Sequence, residues 1–514
     1  MKGDFSRISF DAKNHFSRVL TQQGRVTLDA DFNEQSDILL HTLRTLARDL
    51  FGPFGGPVAS GGFGLILGPP NDPNTPDLTI GGGHYYVDGI LCESDGCDYA
   101  HQPDYVPAGG DPLLTWLKRP SGGDFFWIYL DVWERHITWI EQDSIREVAL
   151  GAGGPDTCTR SKVVWQVKAI SVLALIDILK KKKHAVDAMT QTNDAKALSA
   201  KLQRDMALLD ERKGACEAPL AALTPISDAT MAARLDPEEL QIKDPCTISP
   251  DAKYRGAENQ LYRIEVHQGN VDDPAPPTFK WSRDNGSVAT RWLGTEGNDL
   301  IVANARGFAA GCWVELSDDG LDLNGKPGHL VKLTSVQSDR LSVDPGAGSI
   351  AWTAQLDNPK VRRWDQSEND NTTLVDGAIP IVESSAQNPT WIDLEDGIQV
   401  RFASGGGYRS GDYWLIPARV ATGSIEWESD AQGDSLLKAP QGVKHHYAPL
   451  GFIGLREGRA HFDDCRVCRE TSPGNCPSAA VIVTPAGPPA PRPVIRPVAP
   501  TRANRAGKTR RPRP

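Results

Sequence analysis

FFWIYLDVWERHITWI, residues 125–140, and SKVVWQVKAISVL, residues 161–173, decide the class of fold. Both are crowded with β-branched and aromatic side chains, which pack well on a pleated surface. Neither carries the broad polar face that a surface helix presents to water. They read as long strands of a first β domain. Just upstream, LTIGGGHYYVDGILCE (78–93) sets Asp88-Gly89 between two strand-like runs, a strong two-residue hairpin signal.

Working outward, β character resumes in QLYRIEVH (260–267) and TFKWSRDNGSVATRWL (278–293), where Asp284-Asn285-Gly286 supplies turn chemistry. From Gly311 to Val343, short strands alternate with turn clusters, the pattern of a small barrel. IDLEDGIQVRF (392–402), GDYWLIPARVATGSIEW (411–427) and HHYAPLGFIGL (445–455) make a last β unit. Between the two β regions, residues 176–217 change character: Leu198, Leu202, Met206 and Leu209 recur at helical spacing among many charges. This segment reads as a helical insertion, with its Lys180 to Lys183 run as a solvated face.

The expected fold is therefore mainly β and multidomain (α+β). It comprises an N-terminal leader and amphipathic helix (1–56), a first β domain (57–175), the helical insertion (176–245), a β segment pairing with the first domain (246–295), a small β-barrel (296–350), a C-terminal β domain (351–470) and a disordered basic tail (471–514). Several small sandwiches or barrels fit a composition with 49 Gly and 38 Pro, and helix should be the minority element. At 514 residues, 39 % hydrophobic and 24 % charged, the chain has ample material for several cores. No stretch has the apolar length of a membrane span, and the start lacks a signal-peptide core, so cytoplasmic synthesis is expected. The sequons at Asn285 and Asn371 then read as accidental.

The N-terminal segment MKGDFSRISFDAKNHFSRVLTQQGRVTLDADFNEQSDILLHTLRTLARDL (1–50) is a polar, turned leader running into one helix. Phe32, Leu39, Leu43, Leu46 and Leu50 fall at helical intervals, the last four at steps of 4, 3 and 4, as in a seam between helices. Asp29 or Asp31 caps the start, Arg44 and Arg48 suit the end, and Gly52-Pro53 stop it. With little chain before it, such a helix must bury its stripe on a later domain or on another subunit. Phe5, Phe16, Gln22, Gln23, Leu39, Leu43, Leu46 and Leu50 are the candidate interface anchors.

The net charge of −11 hides an asymmetry: after Thr471 there are eight cations (Arg492, Arg496, Arg502, Arg505, Lys508, Arg510, Arg511, Arg513) and no acid, so the rest of the chain carries −19. The proline-rich tail is too poor in large apolar groups to build a core and reads as a disordered spacer. Its arginines are candidates for contact with an acidic partner, a membrane surface or nucleic acid. With no aromatic residue among them, sequence-specific nucleic-acid recognition is not expected.

Several constellations compete as chemical sites. His461, Cys465, Cys468 and Cys476 have the donor types of a tetrahedral structural zinc site, with free thiols or a disulfide from Cys465 to Cys468 or Cys476 as the alternatives. His445 and His446 point to opposite faces of a strand and so do not readily share a site. Glu134 and His136 share a face and are candidates to hold a cation, although such pairs are commonly cross-strand elements. Asp393, Glu395 and Asp396 offer the paired carboxylates of glycoside hydrolysis. Trp133, Trp139, Trp281, Trp292, Trp414 and Trp427 lie on β segments where exposed rings would stack on sugars, but buried rings are the commoner outcome. The glycine-rich stretches 61–68 and 150–157 lack the phosphate-loop pattern, and no nucleophile elbow or zincin pair occurs. No catalytic residues are assigned, and no cofactor is expected beyond the candidate zinc.

Eight stretches, in order, resemble one uncharacterised family encoded beside phage-tail and contractile-injection-system genes. They are MKGDFSR, QQGRVTLDADFNEQ, YLDVWERHITWIEQDSIREVALG, GGPDTCTRSKVVWQV, YRGAENQLYRIEVH, FKWSRDNGSV, and GDYWLIPARVATGSIEW followed by HHYAPLGFI. They span residues 1 to about 470 and spare the insertion and the tail. The resemblance implies a non-enzymatic structural component that docks at a baseplate or fibre root through its N-terminal helix. Its implied partners are other particle subunits, with a homotrimer as one arrangement, and assembly into a particle follows cytoplasmic synthesis, with an extracellular location after release as one outcome. A carbohydrate-binding or glycan-cleaving surface protein, and a cargo or anchoring adaptor using the basic tail, are the alternative readings.

Overall fold

A computed structural model describes residues 1–68, 78–107, 110–118, 120, 125–151, 156–188, 193–210, 216–223, 229–237, 253–271, 275–344, 352–368, 372–385 and 388–469. The chain divides into two units, 1–476 and 477–514, and every described residue belongs to the first. The basic tail residues and Cys476 lie outside the described residues. Strand accounts for 36 % and helix for 20 %, so the protein is β-rich and multidomain, with several sheets.

The two long aromatic stretches form the strands Phe126–Ile137 and Arg160–Ser171, which pair antiparallel along their whole length. His446–Arg456 adds to the free edge of Phe126–Ile137, and Arg459–Asp464 adds beyond it. Alternation then sorts the side chains. Ile128, Leu130 and Val132 join Val167, Leu450 and Ile453 in a core shared with Phe54, Tyr85, Val87 and Ile90, whereas Trp127 and Tyr129 face the opposite way. On that second face lie Leu175 and Leu179 of helix α3 (Val172–Ala188) and Leu202, Met206 and Leu209 of α4 (Asn193–Asp210). A sheet covered on both faces explains why the run is continuously apolar over residues 125–130.

The helical insertion is thus the lid of this sheet. Its end is tied down by a disulfide between Cys216 and Cys465, with Cα atoms 5.8 Å apart. Lys182, read as part of a solvated lysine face, turns inward and donates to the Ala221 and Ala222 carbonyls. Lys181 and Lys183 instead pair with Asp177 and Asp187.

The segment expected to pair with the first domain does not do so. Gln260–Val266 pairs with Thr278–Ser282 and Tyr413–Arg419, making a second sheet. Tyr262, Ile264, Trp281, Trp414 and Ile416 of this sheet pack with Ile398, Val400 and Phe402 of a neighbouring strand, to which Met231–Leu235 is paired. It is residues 446–464 that return to complete the first sheet. The barrel exists and closes with six strands, but it runs from Ala289 to Trp364. The strands Ala289–Glu296 and Lys360–Trp364 lie beyond the 296–350 limits read from the sequence, and their pairing with each other closes the ring.

Candidate attachment surface

The leader begins as a plug. The Met1 carbonyl accepts from Arg263 (3.2 Å) and from the Asn285 amide (3.1 Å), which also donates to the Gly3 carbonyl (2.9 Å). Asn285 sits at φ 54° in the expected Asp284-Asn285-Gly286 turn and is buried, so its side chain holds the leader and has no room for a glycan. Lys2 reaches Glu265 (2.9 Å), which also takes Arg263 (2.6 Å) and lies 3.4 Å from Lys280. Lys280 in turn pairs with Glu315 at 2.5 Å. Burial alone would push the Glu315 carboxyl up, but Lys280 and Lys2 outweigh it and hold it down at about 2. Glu265 is held well below the usual carboxylate range by Lys2, Arg263 and Lys280, again against burial.

Phe5 lies with Leu261, Tyr413 and Leu415 and meets the His136 ring edge-on at 5.9 Å. Expected as an outward anchor, it is an inward one. His136 bonds Thr159 (2.8 Å), and burial drives its pKa down to about 3, so it is a neutral packing partner of the leader.

Helix α1 (Asp29–Phe51) follows, with the limits the sequence marked. The cap differs in detail: Leu28 holds the cap position, Asp31 accepts the Leu28 amide (2.9 Å) and Asp29 accepts the Ser6 amide (2.9 Å). Gly52, at φ 78°, returns its amide to the Arg48 carbonyl, ending the helix.

One face of α1 is fastened to the body and to the leader. Ala30 and Ile38 are buried, Ser9 donates to Glu34 (2.7 Å), Phe10 leans on His41, and Arg44 forks onto both oxygens of Glu134 at 2.9 Å. Arg48 approaches Asp88 (3.6 Å), which also pairs with His446 (2.8 Å), and Phe51 stacks on Tyr86 with ring centres 4.5 Å apart. The Asp88-Gly89 hairpin turn supports this docking sterically: a Cβ on Gly89, at φ 81°, would stand 2.1 Å from the Arg44 carbonyl. Glu134 and His136, expected as cation ligands, therefore both clamp the N-terminal segment.

The opposite face of α1 carries the apolar stripe, and it is open. Phe32 is 68 % exposed, Leu39 54 %, Leu43 61 %, Leu46 54 % and Leu50 60 %, against 2 % for Ile38 behind them. Phe16, Leu20, Val26 and Leu28 of the leader are exposed as well, as are Gln22 and Gln23. At 100° per residue, positions 32, 39, 43, 46 and 50 span about 60° and lie across the axis from Ile38, Glu34 and His41. The sequence showed the stripe but not which way it faced.

The competing sites resolve differently. Cys465 is bonded to Cys216, which removes one thiolate from the zinc set and replaces the expected Cys465–Cys468 or Cys465–Cys476 bridge. His461 pairs with Asp463 on its own strand (3.2 Å). His445 and His446 go to opposite partners, Asp131 (2.7 Å) and Asp88. Of the acidic strip, Asp393 accepts from Gln399, and Glu395 accepts from Tyr262 (3.0 Å) and Arg283 (2.8 Å). Trp133, Trp281, Trp292 and Trp414 are buried, Trp139 lies under Arg146 and Trp427 under Lys438, so these six rings offer no open stacking platform. Glu141, Asp319 and Asp322 converge as metal ligands would, yet the Lys360 ammonium already occupies their centre, 2.7 Å from Glu141 and from Asp322.

Compared with known proteins, residues 1–218 and 213–511 match a family of unknown function, DUF6519. No curated protein and no solved structure matches the chain. With both halves covered, from the leader plug and α1 through the β units, the chain belongs to the family of unknown function DUF6519.

Proposed function

We propose that this protein is a structural component of a phage-tail-like contractile injection particle, attached at its baseplate or fibre root through α1. The observation that carries the reading is the orientation of that helix. Ile38, Glu34, His41 and Arg44 fasten it to the body and the leader, while Phe32, Leu39, Leu43, Leu46 and Leu50 are left facing water. Exposed apolar patches of this kind mark interaction sites.

The particle itself enters through the likeness of the leader, α1 and strand segments to proteins encoded beside tail genes. The leader plug adds a mechanical argument. By tying Met1–Phe5 to the second sheet and α1 to the first, it transmits load on the helix to both β units. The burial of Trp133, Trp281, Trp292 and Trp414 and the hydrogen-bonded acidic strip favour this reading over the glycan-binding alternative.

The test is incorporation. Leu43→Asp with Leu46→Asp places two charges on the open face and disturbs no internal contact, so the fold is retained. Particles assembled with this variant should lack the protein; normal incorporation would refute the proposal.

A further inference from the structure

We propose that the open stripe of α1 packs against the same stripe on further copies of this chain, forming a parallel, in-register coiled coil. This rests on α1 being the attachment element and names what it attaches to first.

The spacing carries the argument. Phe32, Ser36, Leu39, Leu43, Leu46 and Leu50 alternate steps of 4 and 3, which is the a/d repeat of a two-helix or three-helix seam sustained over the exposed length of α1. From Phe32 to Leu50 this seam is about 27 Å long at 1.5 Å per residue. A seam that repeats every 3.5 residues fits knobs-into-holes against its own kind, whereas a groove on an unrelated globular partner imposes no such period.

The flanks agree. The positions on either side of the seam are Asn33, Leu40 and Ala47 on one edge and Gln35, Thr42 and Asp49 on the other, so identical helices side by side meet almost no like charge. The arginines of α1 are behind, with Arg44 paired to Glu134 and Arg48 beside Asp88. The exposed parts of Phe32, Leu39, Leu40, Leu43, Leu46 and Leu50 amount to roughly 600 Å² of apolar surface per copy. Two copies thus contribute about 1,200 Å², the lower limit of a specific interface.

Register sets the direction. In a parallel coil, Ser36 meets Ser36, the one polar position of the seam facing its own copy, and Phe32 meets Phe32. An antiparallel coil centred on the seam would instead set each Ser36, whose hydroxyl donates to the Phe32 carbonyl of its own helix (3.1 Å), against Leu46, separating the two small side chains. The body sits behind α1 in every copy, so a closed cyclic assembly places the helices at the centre and the β units outside.

The experiment uses the full chain with Cys158→Ser, because Cys158 is exposed and would cross-link on its own. Light scattering should give a multimer that Leu43→Asp with Leu46→Asp reduces to monomer. Ser36→Cys should form a covalent dimer on mild oxidation, and Thr45→Cys, exposed but off the seam, should not. A monomeric chain, or cross-linking at Thr45→Cys equal to that at Ser36→Cys, would overturn the coil. A monomeric chain whose Leu43→Asp/Leu46→Asp variant still fails to enter particles would overturn self-association and leave the attachment reading standing. A multimer whose disrupted variant enters particles normally would do the reverse.

Discussion

Glu265→Gln should be among the most damaging single changes in the protein. Glu265 holds three cations, Lys2, Arg263 and Lys280, and Lys280 also pairs directly with a second carboxylate, Glu315. Neutralising it leaves three positive charges around one buried carboxylate, and removing one partner of a buried network costs about 3–5 kcal/mol. Lys2→Met removes a cation instead, leaving two cations facing two carboxylates, and should cost no more than about 1 kcal/mol. The two variants have opposite expected ranks, even though Lys2 lies in the leader and Glu265 in a core strand. Thermal unfolding should show a drop on the order of 10 °C for Glu265→Gln and a few degrees at most for Lys2→Met. The pH dependence follows from the depressed carboxyls. Their stabilising contribution is complete above the unfolded carboxylate value of about 4.3 and is lost as pH falls toward about 2, where Glu315 protonates in the fold. Glu265→Gln should therefore approach the parent as pH falls below about 4.3, because Glu265 is itself held well below the usual range in the fold. Equal stability of Glu265→Gln and the parent at neutral pH, or greater damage from Lys2→Met, would refute the charge balance drawn here.

Gly89→Ala should loosen α1 without unfolding the first sheet, costing about 1–2 kcal/mol for its positive φ and forcing the Arg44 carbonyl away; protease cleavage within residues 1–51 should rise, and unchanged cleavage would contradict the docking. Asp412 has a buried oxygen with no hydrogen-bond partner, and burial raises its pKa to about 6. Because a carboxyl raised in the fold is destabilising above its unfolded value of about 3.9, Asp412→Asn should stabilise by about 1–2 kcal/mol at pH 8 and by nothing at pH 3.5. Equal effects at both pH values would exclude this cause. Cys216→Ser, or reduction of the disulfide, should lower stability by about 2–4 kcal/mol, with exchange of the α3 and α4 amides rising first; two free thiols in the untreated protein by mass spectrometry would contradict the bridge.

Local patterns were legible in the sequence where the physics is local. The α1 stripe, its Gly52 stop, the Asp88-Gly89 and Asp284-Asn285-Gly286 turns and the two long strands all follow from neighbours in the chain. What could not be read was which distant segments meet. His446–Arg456 completing the Phe126–Ile137 sheet, and Gln260–Val266 pairing away from it, depend on which exposed edge lies within reach in three dimensions. Strand composition does not encode that choice. The unbroken apolar run 125–130 was a usable hint, since a strand apolar on both faces needs two covers, and the adjacent insertion was the nearest candidate for the second.

At the site, residue type misled where position decided. Glu134 and His136 share a strand face, as expected, but that face is the landing ground of the N-terminal segment, with Arg44 and Phe5 as their partners. Phe5 looked like an anchor for another molecule and is an anchor for its own chain. The CxxC at Cys465 and Cys468 drew attention to a metal, whereas the Cys465 thiol reaches Cys216 in the insertion. A pairing across 249 residues leaves no mark in local spacing.

The most direct measurement is oxidative footprinting of Phe32, Leu39 and Leu50 in assembled particles against the same residues in the Leu43→Asp/Leu46→Asp variant held outside particles. The account predicts strong protection of Phe32, Leu39 and Leu50 in particles and free labelling in the variant. Equal labelling in both would contradict α1 as the attachment surface.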